Sequence, residues 1–183
     1  MAAGGPLRSL DERAGRALFG RGPRPAAELL ADLGSLPVAL PVLAAAVAYT
    51  LWRDGRARRP EALAAVLALA AVPALVVPLK ALIDRPGPLT EATGYYPSGH
   101  TATAMTAYGG AALLLMTYSR LRWTAPAAGV LTLATGVGLV LRGYHWPLDV
   151  IGSWCLCAMI LLVSSRCTRR SSARTATGCS GPS

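Results

Sequence analysis

Residues 97–118 read PSGHTATAMTAYGGAALLLMTY, and the fold of the whole chain turns on them. The stretch opens on Pro97, Ser98, Gly99 and His100, then runs apolar without a charge. Its length is close to the ~20 residues that span a hydrocarbon core. Ser98 is suited to cap such a helix by accepting from the N–H groups of its first turn. Gly99 lets a ligand approach the backbone closely. A helix start of this kind aims free N–H groups and the positive end of the helix dipole at one point, which makes an anion site. His100, in the first turn, reaches the same point and is able to donate a proton. Taken alone, the four residues read equally well as an ordinary helix cap after a proline.

Outward from this stretch the chain shows five apolar runs, roughly 37–52, 61–83, 100–118, 125–142 and 147–165, none with an acid in mid-span. Together with a 53% hydrophobic composition in 183 residues, they predict an all-α, polytopic membrane helix bundle with about five transmembrane helices. Residues 1–36 are mixed, and each half predicts a short amphipathic helix lying at the bilayer interface. Neither half has the uncharged core of a signal peptide. Residues 37–165 form the transmembrane domain. Residues 166–183, rich in Arg, Ser, Thr and Gly, predict a disordered basic cytoplasmic tail.

The formal charge of +9 does not point to nucleic acid, because the arginines stand in short blocks between apolar runs with few aromatics beside them. Such blocks orient a membrane protein. Arg53, Arg56, Arg58 and Arg59 follow the first run, Arg120 and Arg122 the third, and Arg166, Arg169 and Arg170 the fifth. The three blocks alternate correctly to share the cytoplasmic side of a plasma membrane. Segments 84–99 and 143–146 then face outward. Residues 1–36 oppose this assignment, since they carry five arginines on what becomes the outer side. Cys155 and Cys157 stand two apart in an apolar run and point to nearly opposite helix faces, so packing is their expected role. Cys167, just past a membrane end, is a candidate for acylation.

The basic residues are unevenly chosen. There is one lysine among seventeen arginines, and there are two histidines. Lys80 lies in the apolar run V-V-P-L-K-A-L-I, residues 76–83, where a charge costs roughly 2.5–3.5 kcal/mol at mid-span and less near an edge. Snorkelling to the interface is the plain reading of it. His145 begins His145-Trp146-Pro147-Leu148-Asp149. Positions i and i+4 share a helix face, so Asp149 is placed to hold one imidazole nitrogen and leave the other free to attack. An interfacial aromatic belt of Tyr144 and Trp146 is the alternative. The predicted topology brings Lys80, His100 and His145 to one membrane face, with Arg85 and Arg142 nearby. That is an arrangement for phosphoryl transfer. Asp84 and Glu91 lie in the loop and Asp149 serves His145. No carboxylate pair remains to hold Mg²⁺, and a reaction without metal or other cofactor is expected.

These residues resemble the type 2 phosphatidic acid phosphatase superfamily, integral membrane lipid phosphatases whose site architecture is shared with vanadium haloperoxidases. The family pattern is K-x6-R-P, then P-S-G-H, then S-R-x5-H-x3-D. The second block is complete as Pro97 to His100, and His145-x3-Asp149 preserves the end of the third. The two family arginines fall at Gly87 and Leu139, while Arg85 and Arg142 stand close by as candidate substitutes. The resemblance implies His145 as nucleophile through a phosphohistidine, Asp149 as its orienting acid and His100 as proton donor. It implies Lys80, Arg85, Arg142 and the backbone at Ser98 and Gly99 as phosphate holders. Expected substrates are a polyprenyl phosphate or diphosphate, phosphatidic acid or phosphatidylglycerol phosphate. The expected partners are that lipid and the bilayer. A weak or inactive lipid-phosphate binder and a lipid phosphotransferase are the alternative functions.

Overall fold

The computed structural model describes the backbone of residues 5–90 and 92–177, and side chains as far as Thr168. Glu91 and Cys179 lie outside the described residues. The described chain is helical without a strand: α1 Pro6–Leu18, α2 Arg24–Asp32, α3 Leu36–Asp54, α4 Arg59–Ile83, α5 Gly99–Leu115, α6 Thr124–Leu141 and α7 Pro147–Thr177. The five apolar runs correspond to α3 through α7. Prolines stand in the first turns of α1 to α4 and at the first position of α7, where the missing N–H costs nothing. Asp84, at φ 47°, ends α4 in the left-handed region, which short polar side chains tolerate.

Three stretches are long and apolar enough to cross a membrane. They are Leu36–Ile83, which takes in α3, α4 and their connecting turn, then Ser119–Leu141, then Pro147–Thr168. α5 is shorter, at 17 residues, and is the axis around which α3, α4, α6 and α7 pack. Buried threonine hydroxyls of α5 and α6 bond back to their own helices. Thr106 donates to the Ala102 carbonyl at 2.7 Å, Thr132 to Ala128 at 2.8 Å and Thr135 to Leu131 at 2.9 Å, which keeps polar groups paired inside an apolar bundle. On the outside, Leu63, Leu67, Val77, Val130, Leu133, Met159, Leu162 and Val163 are exposed, the surface a helix bundle shows to lipid rather than to water.

Both short N-terminal helices form, and both are packed against the bundle. α2 lies on α6, with Ala27 and Ala31 buried. Gly138 makes this possible, since a Cβ there would stand 2.4 Å from the Ala31 nitrogen. Small residues that let helix backbones touch are the usual device of membrane bundles. α1 packs on the start of α7, where a Cβ on Gly15 would meet the Trp146 ring at 2.6 Å.

The tail departs from expectation. α7 continues through Thr177, so the segment predicted to be disordered from residue 166 begins as helix. Between Gly152 and Gly178 the sequence has neither Gly nor Pro, and an established helix propagates at one hydrogen bond per residue. Residues 178–183 lie outside the described residues.

The bundle has two distinct ends. At one, Arg58 donates to Thr117 at 3.3 Å, Tyr118 donates to Asp54 at 2.6 Å, and Arg53 lies over the Tyr118 ring. These contacts join the α3–α4 and α5–α6 connections, the first two arginine blocks. The other end carries the close of α4, the starts of α5 and α7, and both N-terminal helices.

Candidate active site

Ser98 is fully buried and caps α5, its hydroxyl oxygen accepting from the Thr101 N–H at 3.3 Å and the Thr101 hydroxyl at 3.0 Å. Its backbone is stitched to α7. The Ser98 N–H donates to the Asp149 carbonyl at 3.2 Å, and the Ser153 hydroxyl donates to the Ser98 carbonyl at 3.0 Å. The second and third sequence blocks, about fifty residues apart, are thus one hydrogen-bonded unit. The N–H groups of Gly99 and His100 stand in the first helical turn, where the helix itself supplies no acceptor. A Cβ added at Gly99 would meet nothing within 4 Å, so the space beside this turn is open.

His145 does not lie on α7. It occupies the turn before Pro147, and Asp149 reaches back to it, with Oδ2 at 3.4 Å from Nδ1. The same Oδ2 accepts from the Trp146 N–H at 3.0 Å, so Asp149 also satisfies a donor at the start of its own helix, in the manner of a capping box. Nε2 of His145 is left for chemistry. His145 is almost buried, and the Tyr95 ring packs edge-on against it at 5.7 Å between centroids. His100 is exposed, and His145, Lys80 and Asp32 lie within electrostatic reach of it. Lys80 has no hydrogen-bond or ion-pair partner among the described residues and packs beside Gly94. Among the described residues no anion is committed to it.

The two arginines behave differently from Lys80. Arg85 donates to Asp149 Oδ1 at 2.7 Å. It also forms a short ion pair with Asp11 of α1. Its guanidinium lies 5.9 Å from the Trp146 ring centroid. Arg142 pairs with Glu28 of α2 and lies over Tyr144, whose hydroxyl also bonds Glu28 at 2.9 Å. Both expected phosphate holders are therefore engaged by carboxylates. The structure also accounts for the positions where the family pattern places its arginines. Gly87 lies against Tyr95, and a Cβ there would come within 2.4 Å of the ring. Leu139 is buried in the core, and its carbonyl accepts from the Tyr144 N–H at 2.9 Å.

Sequence reasoning passes over two residues. Asp11 is buried, with its carboxylate taken by Arg85 on one side and by the Leu148 N–H, at 2.8 Å, on the other. The signal is present in its spacing, since Asp11 and Gly15 stand four apart and put an acid and a bare patch of backbone on one helix face. Tyr95 is the other. The aromatic-belt alternative for Trp146 does not hold, because Trp146 is buried and its indole N–H donates to the Pro86 carbonyl at 3.0 Å.

The sequence model described as PAP2 superfamily matches residues 61–173. Two solved structures share the fold. A transmembrane PAP2 type phosphatidylglycerolphosphate phosphatase from Bacillus subtilis superposes with a TM-score of 0.76 at 20% identity, over 90% of this chain and 87% of that one. LpxE of Aquifex aeolicus superposes with a TM-score of 0.67 at 21% identity, over 86% of this chain and 95% of that one. Among curated proteins no sequence match is found.

Proposed function

This chain belongs to the PAP2 superfamily, and on that premise we propose that it is a membrane lipid phosphatase acting on a phosphate monoester or diphosphate of a lipid. The observation that carries the reading is the joining of two motif blocks through the Ser98 N–H and the Asp149 carbonyl. It sets an open helix N-terminus, a solvent-reaching histidine and a carboxylate-held histidine around one place.

In this reading Nε2 of His145 attacks phosphorus. Asp149 holds Nδ1 as N–H and balances the charge that the ring gains. The P–N bond forms as the P–O bond to the lipid breaks, and His100 protonates the departing oxygen. Water then attacks the phosphohistidine with His100 as base, which releases phosphate and restores both rings. Lys80 and the Gly99 and His100 N–H groups supply positive charge to the phosphate oxygens. This reading uses no metal, which is supported by the commitment of Asp11 and Asp149, buried carboxylates among the described residues of this end, to Arg85. The three arginine blocks support a cytoplasmic position for the opposite end, and in this reading the site faces outward from a plasma membrane. Phosphatidylglycerol phosphate is the substrate suggested by the Bacillus subtilis relative, and polyprenyl phosphates and phosphatidic acid are its competitors.

The test is phosphate release from these lipids by the purified chain in excess EDTA. His145→Ala is expected to lower kcat by about a thousandfold or more, as loss of a nucleophile does. Unchanged turnover in that variant would falsify the mechanism. Loss of all activity in EDTA would remove its metal independence. A non-catalytic lipid-phosphate binder is the second reading, favoured by the pairing of Arg85 and Arg142 with carboxylates. Its signature is saturable binding of lipid phosphate with no phosphate released.

A further inference from the structure

We propose that Arg85 is a positioning residue for the His145–Asp149 pair rather than a phosphate ligand, and that Asp11 of the N-terminal helix is the group that holds it there. The inference rests on the phosphatase reading above and departs from the family pattern, in which an arginine of this block binds phosphate. It also reaches outside the matched family region, which begins at residue 61.

The geometry runs as a chain. Asp11 is buried with its side chain 2% exposed, Arg85 is 10% exposed and Asp149 is fully buried. The guanidinium bridges the two carboxylates, using one terminal nitrogen for each. Asp149 then meets the Nδ1 of His145 with its second oxygen. Two acids without Arg85 would repel each other in a dry site, and either acid alone would leave part of the guanidinium unpaired. Trp146 closes the assembly. It lies between Arg85 at 5.9 Å and Arg16 of α1 at 5.7 Å, measured to the ring centroid, and is pressed by Gly15. Asp11 also accepts from the Leu148 N–H, so α1 satisfies a donor at the N-terminus of the helix that carries Asp149. Both terminal nitrogens of Arg85 are bonded to acids, while its buried Nε has no partner. In this proposal the phosphate is held by Lys80, His100 and the α5 N-terminus instead.

The trio of Asp11, Arg85 and Asp149 carries a net charge of −1 beside His145. Among the described residues, Tyr95 from the loop packs edge-on against that ring and His100 of α5 lies within electrostatic reach of it. This gives the two partners opposite electrostatic signatures. Removing Arg85 leaves more negative charge, favours protonated His145 and moves the acidic limb of the kcat–pH profile to higher pH. Asp11→Asn removes negative charge and moves that limb to lower pH.

The experiment uses the full chain in detergent micelles with dioctanoyl phosphatidic acid, and orthovanadate as the phosphate mimic. Arg85→Ala and Asp11→Ala are each expected to lower kcat by about tenfold to a hundredfold, the range seen when an outer partner of a working ligand is lost. KM and the vanadate inhibition constant stay within about threefold, because uniform binding is untouched. The double variant is no worse than Arg85→Ala alone, and Arg85→Lys recovers part of the loss. Asp11→Asn, which preserves shape, supplies the pH arm if Asp11→Ala folds poorly. A rise in KM and in the vanadate constant of about tenfold in Arg85→Ala, with kcat kept, overturns the proposal by making Arg85 an anion ligand. A rise in kcat for Asp11→Ala also overturns it, since Asp11 then withholds Arg85 from the phosphate. Should the wild-type chain release no phosphate, the phosphatase reading fails separately. Vanadate affinity then decides this proposal: equal binding by wild type and Arg85→Ala supports it, and a tenfold loss overturns it.

Discussion

The two ends of the bundle solve the burial of charge in opposite ways. At the end that holds the motifs, charges are interlocked. Asp11, Arg85, Asp149 and His145 form one buried chain drawn from α1, the α4–α5 loop, the turn before α7 and α7 itself. At the other end, cations lie at helix ends and bond sparingly. Arg58 shares a 3.5 Å contact with Glu61 and a hydroxyl of Thr117. They border a cavity of about 370 Å³ that Ser164 and Ser165 also line. The contrast teaches where precision is being maintained. A buried network in which one guanidinium bridges two acids holds one geometry because each break strands a charge. A partly exposed ion pair contributes less and constrains less.

Three substitutions test that contrast. Asp149→Ala should have the largest effect. It strands Arg85 beside Asp11, removes the partner of His145 and frees the Trp146 N–H. A loss of about 3–5 kcal/mol is expected from breaking a buried pair, together with loss of turnover, and thermal unfolding in micelles measures the first part. If the melting temperature is unmoved, the network is not holding this end together. Gly138→Val comes next. Its Cβ has backbone of α2 at 2.4 Å, so α2 must withdraw from α6 at about 1–3 kcal/mol, the usual range for overpacking. Limited proteolysis at residues 19–24 should quicken, and an unchanged digestion rate would mean that α2 is not held by this contact. Arg58→Ala, at the other end, should be the mildest, within about 1 kcal/mol for a partly exposed pair and without effect on kcat. A large fall in activity there would break the distinction between a working end and a supporting one.

Much of the motif-bearing end is legible in the amino-acid sequence. Five apolar runs correspond to five long helices because burying or lipidating that many uncharged residues leaves the backbone no other self-satisfying form. Ser98 is legible as a cap because its residue type and its place before an apolar run are enough. His145 and Asp149 are legible as a pair, although they meet through a turn rather than along a helix. What escapes is whatever depends on partners far away in the chain. Asp11 and Glu12 are adjacent and chemically alike, yet Glu12 makes local pairs with Arg8 and Arg16 on the surface while Asp11 is buried against Arg85 and Leu148. Nothing in α1 alone says that it will dock by its Gly15 face. Arg85 and Arg142 stand near the motifs, but carboxylates on α1 and α2 claim them. The ambiguity of residues 1–36 has the same source. Their arginines argue about membrane side, whereas their position is set by Ala27, Ala31, Gly15 and Asp11 fitting grooves in the bundle.

The bridge between Asp11 and the start of α7 has a bearing on how the protein is made. Asp11 leaves the ribosome well before Leu148, with four long helices synthesised between them. Through that interval Asp11 has no α7 to dock on, and His145 has no Asp149. The clamp closes only when α7 arrives, so a chain truncated before residue 149 cannot assemble the paired histidine at all. Competence is thereby tied to the arrival of α7, and α1 serves as the latch that it shuts.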